Sequence, residues 1–219
     1  MSLIDKIKKV ISKCGNKHNV EVIAALKKDF RVLGYGAFSI VIRDPSSDDH
    51  VIKISRSSND NYMLFVPYCQ ANPENPHLPT IQELGTFSAN GWDYTVFRLE
   101  FLESFSFAYN GENDVPKMII RTMMEFGSNV NSARSFLEPD SENGSLEASI
   151  SEYRNEFKKK MDELGASALA DTILEISSAV CSEGEVPEDD FELSFAMLDL
   201  KPANIMTRNG VFVITDPIA

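Results

Sequence analysis

Apolar positions fall at helical spacing along the first 30 residues. Ile4, Ile7 and Ile11 form one stripe, and Val22, Ile23 and Leu26 form a second beyond the Gly15-Asn16 break. Two short amphipathic helices are expected there. Seven lysines against Asp5, Glu21 and Asp29 make the segment basic. Stripes this short fit helices docked on a protein body better than a membrane-surface helix. From residue 32 the period drops to two. Phe38, Ile40 and Ile42 alternate with Ser39, Val41 and Arg43, the run 44–49 is a turn cluster, and Val51-Ile52-Lys53-Ile54 reads as the next strand. A helix over 58–71 should stop before Asn72-Pro73. Strands near 80–88 and 92–101 follow, joined by Asn90-Gly91, a dipeptide suited to a tight hairpin turn.

The second half reads as helical. Met118, Ile119, Met123 and Phe126 predict one helix, residues 127–145 a polar surface loop, and 147–163 and 166–180 two further helices. An acidic stretch over 183–192 precedes a short mixed tail. The pattern therefore predicts an α+β fold. Its parts are an N-terminal helical extension (1–30), a lobe built on a five-stranded, mainly antiparallel sheet with one inserted helix (31–102), and a helical lobe (103–219).

Composition narrows the class. Of 219 residues, 43% are hydrophobic and 25% charged, the profile of a globular protein. No apolar run approaches the roughly 18 residues of a membrane span, and the charged start lacks a signal core, so a cytoplasmic protein without a membrane partner is expected. Cys14, Cys69 and Cys181 are too few and too scattered for a disulfide scaffold or a cysteine zinc site. A net charge of −12 argues against nucleic acid as a partner. His18, His50 and His77 lack metal-ligand spacing and read as surface or loop residues, whereas Met118, Met123, Met124 and Trp92 read as packing residues.

Three segments carry candidate chemistry. In Gly34-Tyr35-Gly36-Ala37-Phe38-Ser39 two glycines in a strand–turn–strand let backbone N–H groups approach a phosphate, although such turns also occur in plain hairpins. Lys53 lies inside an apolar strand, where its ammonium must reach solvent, a carboxylate or a ligand anion. Asp199-Leu200-Lys201-Pro202-Ala203-Asn204, followed by Asp216, gathers the groups of phosphoryl transfer. These are a carboxylate to orient a hydroxyl and accept its proton, a lysine to neutralise phosphoryl charge, and an amide and second carboxylate as oxygen ligands to magnesium.

In that order, these segments resemble the protein-kinase superfamily. The resemblance implies a minimal bilobal kinase-like fold that takes Mg-ATP. Gly34 and Gly36, with Ser39 and Val41 beyond them, match the loop over the ATP phosphates. Lys53 matches the α/β-phosphate lysine, and Val51 the small residue over the adenine. Leu99-Glu100-Phe101-Leu102 looks like the hinge, where main-chain groups of Glu100 and Leu102 read the adenine edge. Asp199 matches the catalytic aspartate and Lys201 the lysine typical of serine/threonine kinases, while Asn204 and Asp216 match the magnesium ligands. A narrower resemblance rests on Gly-Tyr-Gly-Ala-Phe-Ser, Val-Ile-Lys and Asn-Ile-Met…Asn-Gly…Ile-Thr-Asp-Pro. It is to the early host-takeover serine/threonine kinases of Autographiviridae-type podophages, which implies host proteins, including transcription and translation machinery, and the chain itself as substrates.

The chain departs from the superfamily pattern at three places. Met197-Leu198 replaces His-Arg, removing the arginine that clamps a phosphorylated activation loop. Asp216 is followed by Pro217-Ile218 rather than Phe-Gly, and the sequence ends there, as in a minimal kinase or one cut short. No glutamate lies in 56–73 to pair with Lys53, and Asp60 is the nearest acidic candidate. Two rival readings share the motifs: an aminoglycoside-type small-molecule kinase, against which Lys201 speaks, and a pseudokinase that binds host proteins, against which the filled phosphate and metal positions speak. The acidic stretch is a solvated loop or a docking site for basic substrates. No feature specifies an oligomeric state.

Overall fold

The first helix, α1 (Leu3–Ser12), starts on a reciprocal cap. The Ser2 hydroxyl accepts from the Asp5 N–H at 3.1 Å, and the Asp5 carboxylate accepts from the Ser2 N–H at 3.0 Å. The computed structural model of the protein describes residues 1–14, 19–56, 61–105, 114–135, 144–179 and 197–218. The chain divides into two units, Met1–Pro73 with Pro79–Leu102, and Glu74–Leu78 with Glu103–Ala219.

In the first unit, α2 (Asn19–Asp29) follows α1, and then come β1 (Val32–Tyr35), β2 (Ser39–Arg43), β3 (His50–Arg56), α3 (Tyr62–Ala71), β4 (Ile81–Ala89) and β5 (Trp92–Glu100). The strands form one antiparallel sheet in the order β1-β2-β3-β5-β4. The expected five-stranded sheet is therefore present, within an α+β fold. Its two faces are separated by strand alternation. Ile40, Ile42, Ile52, Ile54 and Val96 lie on one face, in a core shared with Ile7, Ile11, Val22, Ile23 and Leu26 of the N-terminal helices. Each fully buried aliphatic side chain contributes about 1.5–3 kcal/mol, so the helix pair is an integral cover of this face.

Two glycines fix the sheet's shape. The β4–β5 register slips between Glu83 and Gly85. Gly85 has φ +139°, and the Ile4 Cδ1 lies 3.1 Å from where a Cβ would stand, so backbone shape and the approach of α1 both require glycine. Asn90 and Gly91, at φ 56° and 78°, form the tight β4–β5 turn that the sequence predicts.

The second unit contains β6 (Glu103–Ser104), α4 (Val115–Ser135), α5 (Gly144–Glu163), α6 (Ser167–Ala179), a 3-10 turn at Pro202–Asn204, β7 (Ile205–Arg208) and β8 (Val211–Ile214). Strands β6, β7 and β8 form a small antiparallel sheet in that order. Phe126 of α4 stacks on Phe157 of α5 at 4.3 Å between centroids. Ile120, Met123, Val130, Met161 and Ile173 complete the interior. The short segment Glu74–Leu78 is held on β7–β8: Ile214 N–H donates to the His77 carbonyl at 2.9 Å, His77 Nδ1 lies 2.8 Å from the Phe212 carbonyl, and Arg208 donates to the Leu78 carbonyl at 2.9 Å.

Several expectations need correction. The stretch 127–145 is not a loop throughout: α4 runs on to Ser135, and residues 144 and 145 already belong to α5. Composition misleads there because Val130 is fully buried and Asn131 is bonded to a distant backbone, so tertiary contacts hold turns whose polarity signals a loop. Of the three methionines read as core, only Met123 is buried; Met118 and Met124 are exposed. Trp92 is partly exposed, with the Arg56 guanidinium over its ring at 4.8 Å. The acidic stretch 183–192 lies outside the described residues.

Candidate functional site

Strand alternation decides which face of the first sheet carries polar chemistry. Ile52 and Ile54 enter the helix-covered core, so Val51 and Lys53 face the other way, as do their cross-strand partners. The register pairs Ser39 with Ser55, Val41 with Lys53 and Lys53 with Phe97. Ser39, Val41, Val51 and Lys53 therefore share one face. Lys53 is only 5% exposed, and its Nζ sits 3.1 Å from the centroid of the Tyr62 ring at the first turn of α3. Asp60, the acidic candidate for Lys53, lies outside the described residues.

Gly34 ends a register slip on β1, and the Gly36 N–H donates to the Ser39 carbonyl at 2.8 Å across the β1–β2 turn. Neither glycine has positive φ. A Cβ on Gly34 would meet nothing within 4 Å, and one on Gly36 only the Ser39 Oγ at 3.8 Å. The fold thus requires glycine at neither position.

At the end of β5, Phe101 N–H donates to the Asp49 carbonyl at 2.7 Å, while Glu100 faces His50 in the ladder. That alternation makes Glu100–His50 a non-hydrogen-bonded pair and turns the Glu100 main-chain groups towards the β4 side. The Glu100 carboxylate accepts from the Thr80 N–H at 2.8 Å, Leu102 is buried, and Arg43 covers the Phe101 ring at 4.2 Å.

The second unit brings the remaining candidates together. The β7–β8 hairpin turns through Asn209 and Gly210, at φ 52° and 81°, and pairs Ile205 with Ile214. Its open end thereby sets Asn204 beside Thr215: the Thr215 N–H and Oγ1 both donate to the Asn204 carbonyl, at 2.8 and 3.0 Å. Asn204 Nδ2 donates to the Asp199 carbonyl at 2.8 Å and to its carboxylate Oδ2 at 2.9 Å. Lys201 Nζ donates to the same Oδ2. The Asp199 N–H donates to the Pro217 carbonyl at 2.7 Å, and Leu198 bridges Ile218. Half-buried Asp216 is thus flanked by Thr215, tied to Asn204, and Pro217, tied to Asp199. Asp199 keeps a partly exposed carboxylate, whereas Asn204 is buried.

One solved structure similar to this chain is that of APH(2")-IIa in a ternary complex with streptomycin and ATP. The identity is 12%, the TM-score 0.33, and the match covers 93% of this chain and 74% of that one. No family model and no curated protein matches the chain. A likeness of this size carries no weight for the chemistry, which rests on the residues themselves.

Sequence reasoning missed three of those residues. Tyr62 reads as an ordinary apolar helix position, Thr215 as a strand residue, and Asn131 falls in a stretch that reads as loop. On α4, the Asn131 amide donates to the Leu198 carbonyl at 2.7 Å and accepts the Leu198 N–H at 3.0 Å. One turn earlier, a Cβ on Gly127 would lie 3.6–3.7 Å from Leu200 and Leu198, in ordinary contact, so α4 packs against the loop that carries Asp199. Among the described residues no group of three His, Cys, Asp or Glu side chains is disposed to hold a metal by itself. The donor set here is different in kind: Asn204 commits its amide nitrogen to Asp199, which leaves its amide oxygen, with the Asp216 carboxylate, as hard ligands. That fits magnesium, which takes one or two protein oxygens and completes its shell with phosphate and water.

Proposed function

We propose that the protein transfers the γ-phosphoryl group of ATP to a serine or threonine hydroxyl of a protein. The observation that carries this reading is the Asp199 carboxylate, bonded by both Lys201 and Asn204, with Asp216 in the adjoining strand end. Asp199 orients the acceptor hydroxyl and takes its proton as the oxygen attacks the γ-phosphorus and the bond to the departing ADP oxygen breaks. Its hydrogen-bond donors hold the carboxylate in one orientation before substrate arrives, which is where positioning catalysis gains its rate. Lys201, the more exposed of the pair, neutralises charge on the moving phosphoryl group. Asn204 and Asp216 hold magnesium, which supplies charge neutralisation at the phosphates when bound. Lys53 takes the α/β-phosphates and the Gly34–Gly36 turn covers them. Ser39, Val41 and Val51 line the nucleotide's place, and main-chain groups of Glu100 and Leu102 read the adenine edge.

Lys201 and the resemblance to the early podophage kinases support a protein acceptor, with host proteins and the chain itself as substrates. The test is incubation with radiolabelled ATP, magnesium and a bacterial lysate, with purified aminoglycosides as competing acceptors. Label in protein bands is the expected result. Label in the aminoglycosides alone would make this a small-molecule kinase, and label in neither would sink the phosphotransferase reading.

A further inference from the structure

His77 closes the outer edge of β8. Among the described residues β8 is an edge strand of its sheet, so its outward main-chain groups need partners from elsewhere. The Thr215 N–H turns inward to the Asn204 carbonyl, and by strand alternation the Ile214 N–H and the Phe212 carbonyl turn outward. His77 answers both. Its carbonyl accepts the Ile214 N–H at 2.9 Å, and its ring Nδ1–H donates to the Phe212 carbonyl at 2.8 Å, since a carbonyl can only accept. A neighbouring strand would donate to Phe212 with a main-chain N–H. The His77 N–H is engaged by the Asn75 Oδ1 at 2.9 Å, and the imidazole takes its place. Asn75 is anchored in turn. Its Nδ2 donates at 3.0 Å to the Oγ1 of Thr172, a buried residue of α6 that lies 97 positions further along the chain. The Thr172 hydroxyl donates to the Ala168 carbonyl at 3.0 Å, which fixes its direction. All of these residues belong to the second unit.

From this geometry we infer that His77 is a positioning residue for Asp216, with Asn75 and Thr172 as the anchor that holds it in place. Asp216 follows Ile214 by two residues, so the strand end that carries it is held from both sides. Asn204 holds Thr215 on the inner side, and His77 holds Ile214 on the outer. The inference rests on the phosphotransferase reading for its purpose, because Asp216 is there a magnesium ligand. The grip on β8 can be read without metal or nucleotide. An edge strand held only on its inner side opens more readily at its end. A ligand carboxylate on such an end is correctly placed for only a fraction of the time, and metal affinity falls by that fraction.

The experiment has two arms and two pairs of variants. His77→Leu removes the ring donor and Thr172→Val removes the anchoring hydroxyl at nearly constant shape. His77→Asn keeps a side-chain N–H near the place of Nδ1, and Thr172→Ser keeps the hydroxyl. In the first arm, amide hydrogen exchange is followed in the metal-free, nucleotide-free protein. The Ile214 amide should exchange about tenfold faster in His77→Leu and Thr172→Val, and at the wild-type rate in the two conservative variants. The amides of Ile120 and Val130 in α4 are the internal reference and should not change. In the second arm, the magnesium concentration for half-maximal turnover should rise about tenfold in the same two variants, while KM for ATP at saturating magnesium stays level. A histidine with a merely structural role would lower the melting temperature and leave the magnesium dependence where it is. That result, or Ile214 exchange that is the same in every variant, would overturn the proposal. Should His77→Leu not fold, Thr172→Val carries both readouts. Faster Ile214 exchange in a protein that transfers no phosphoryl group to any acceptor supports the grip on β8 and sinks the kinase reading, so the two fail separately.

Discussion

The Asn131 side-chain amide closes a pair of hydrogen bonds on the backbone of Leu198, 67 residues away and directly before Asp199. With Leu198 held from α4 and the Asp199 N–H held by Pro217, the carboxylate's backbone is fixed from both sides.

Removing this clamp should cost turnover more than nucleotide binding. Asn131→Ala strips two backbone groups of their partner, at about 1–3 kcal/mol each where water cannot replace it. Asp199 then loses its fixed position, and kcat should fall by about tenfold to a hundredfold. Asn131→Asp retains an acceptor but loses the donor to the Leu198 carbonyl, so it should fall nearly as far. Steady-state kinetics separate the effects: an unchanged kcat, or a rise confined to KM for ATP, would remove Asn131 from the positioning role.

The chemistry assigned to the second unit predicts two distinct failures. Asp216→Ala removes a metal ligand, and its magnesium dependence should shift to higher concentration along with a loss of at least about 10²-fold in turnover. Asp199→Asn keeps the hydrogen-bonding shape but cannot take a proton, so turnover should collapse while the magnesium requirement stays where it was. A magnesium titration on both variants distinguishes ligand from base. Identical titration curves would mean that the roles are assigned wrongly.

Acid stability provides a test of the first unit that is independent of activity. Asp44, whose side chain is fully buried, accepts from the Ser46 N–H and hydroxyl at 2.8 and 2.6 Å and from Arg98 Nε at 2.8 Å. Burial opposes its ionisation, but the Ser46 hydrogen bonds and the Arg98 charge outweigh burial and hold the carboxyl below its ordinary value of 3.8. A depressed folded-state pKa stabilises the fold above the unfolded-state value and loses that stabilisation as pH falls through the folded one. Asp44→Asn should therefore cost about 2 kcal/mol at neutral pH. The gap from wild type should close as the solution is acidified below about pH 4. Urea midpoints at pH 7 and pH 3 would show it, and a constant gap would place the stabilisation elsewhere.

How much of this could be read from the sequence follows from the range of each interaction. Period-two alternation in 38–42 and 51–54, with Asn90-Gly91 between the last two strands, is local, and the five-stranded sheet follows from it. The string from Asp199 to Asn204 is also local, because a short turn is enough to join Asn204 to Asp199. Asn131 and the run from 127 to 135 were not legible, since each acquires its role from a partner far along the chain. Lys53 shows the intermediate case. Its apolar strand marks the ammonium as anomalous, but the Tyr62 ring that it lies over carries no polar signal in the sequence.

The glycine turn offers the sharpest separation of fold from function. Gly34 and Gly36 both lie outside the left-handed region, and a methyl group at either would meet open space or, at 3.8 Å, an ordinary contact. Alanine at these positions should then leave stability within about 1 kcal/mol of wild type, or raise it slightly, because alanine narrows the unfolded chain's freedom. If the turn lies over the ATP phosphates, the added Cβ meets the nucleotide instead of the protein, and close approach of the backbone N–H groups is lost. Gly34→Ala and Gly36→Ala should therefore raise KM for ATP several-fold with an unchanged melting temperature, and the double variant should raise it further. Serine at position 36 should behave like alanine, since its hydroxyl cannot replace a main-chain N–H that stands off from the phosphate. Variants that bind ATP as tightly as wild type would reduce the turn to a plain hairpin, and the nucleotide would have to be held by Lys53 and the hinge alone.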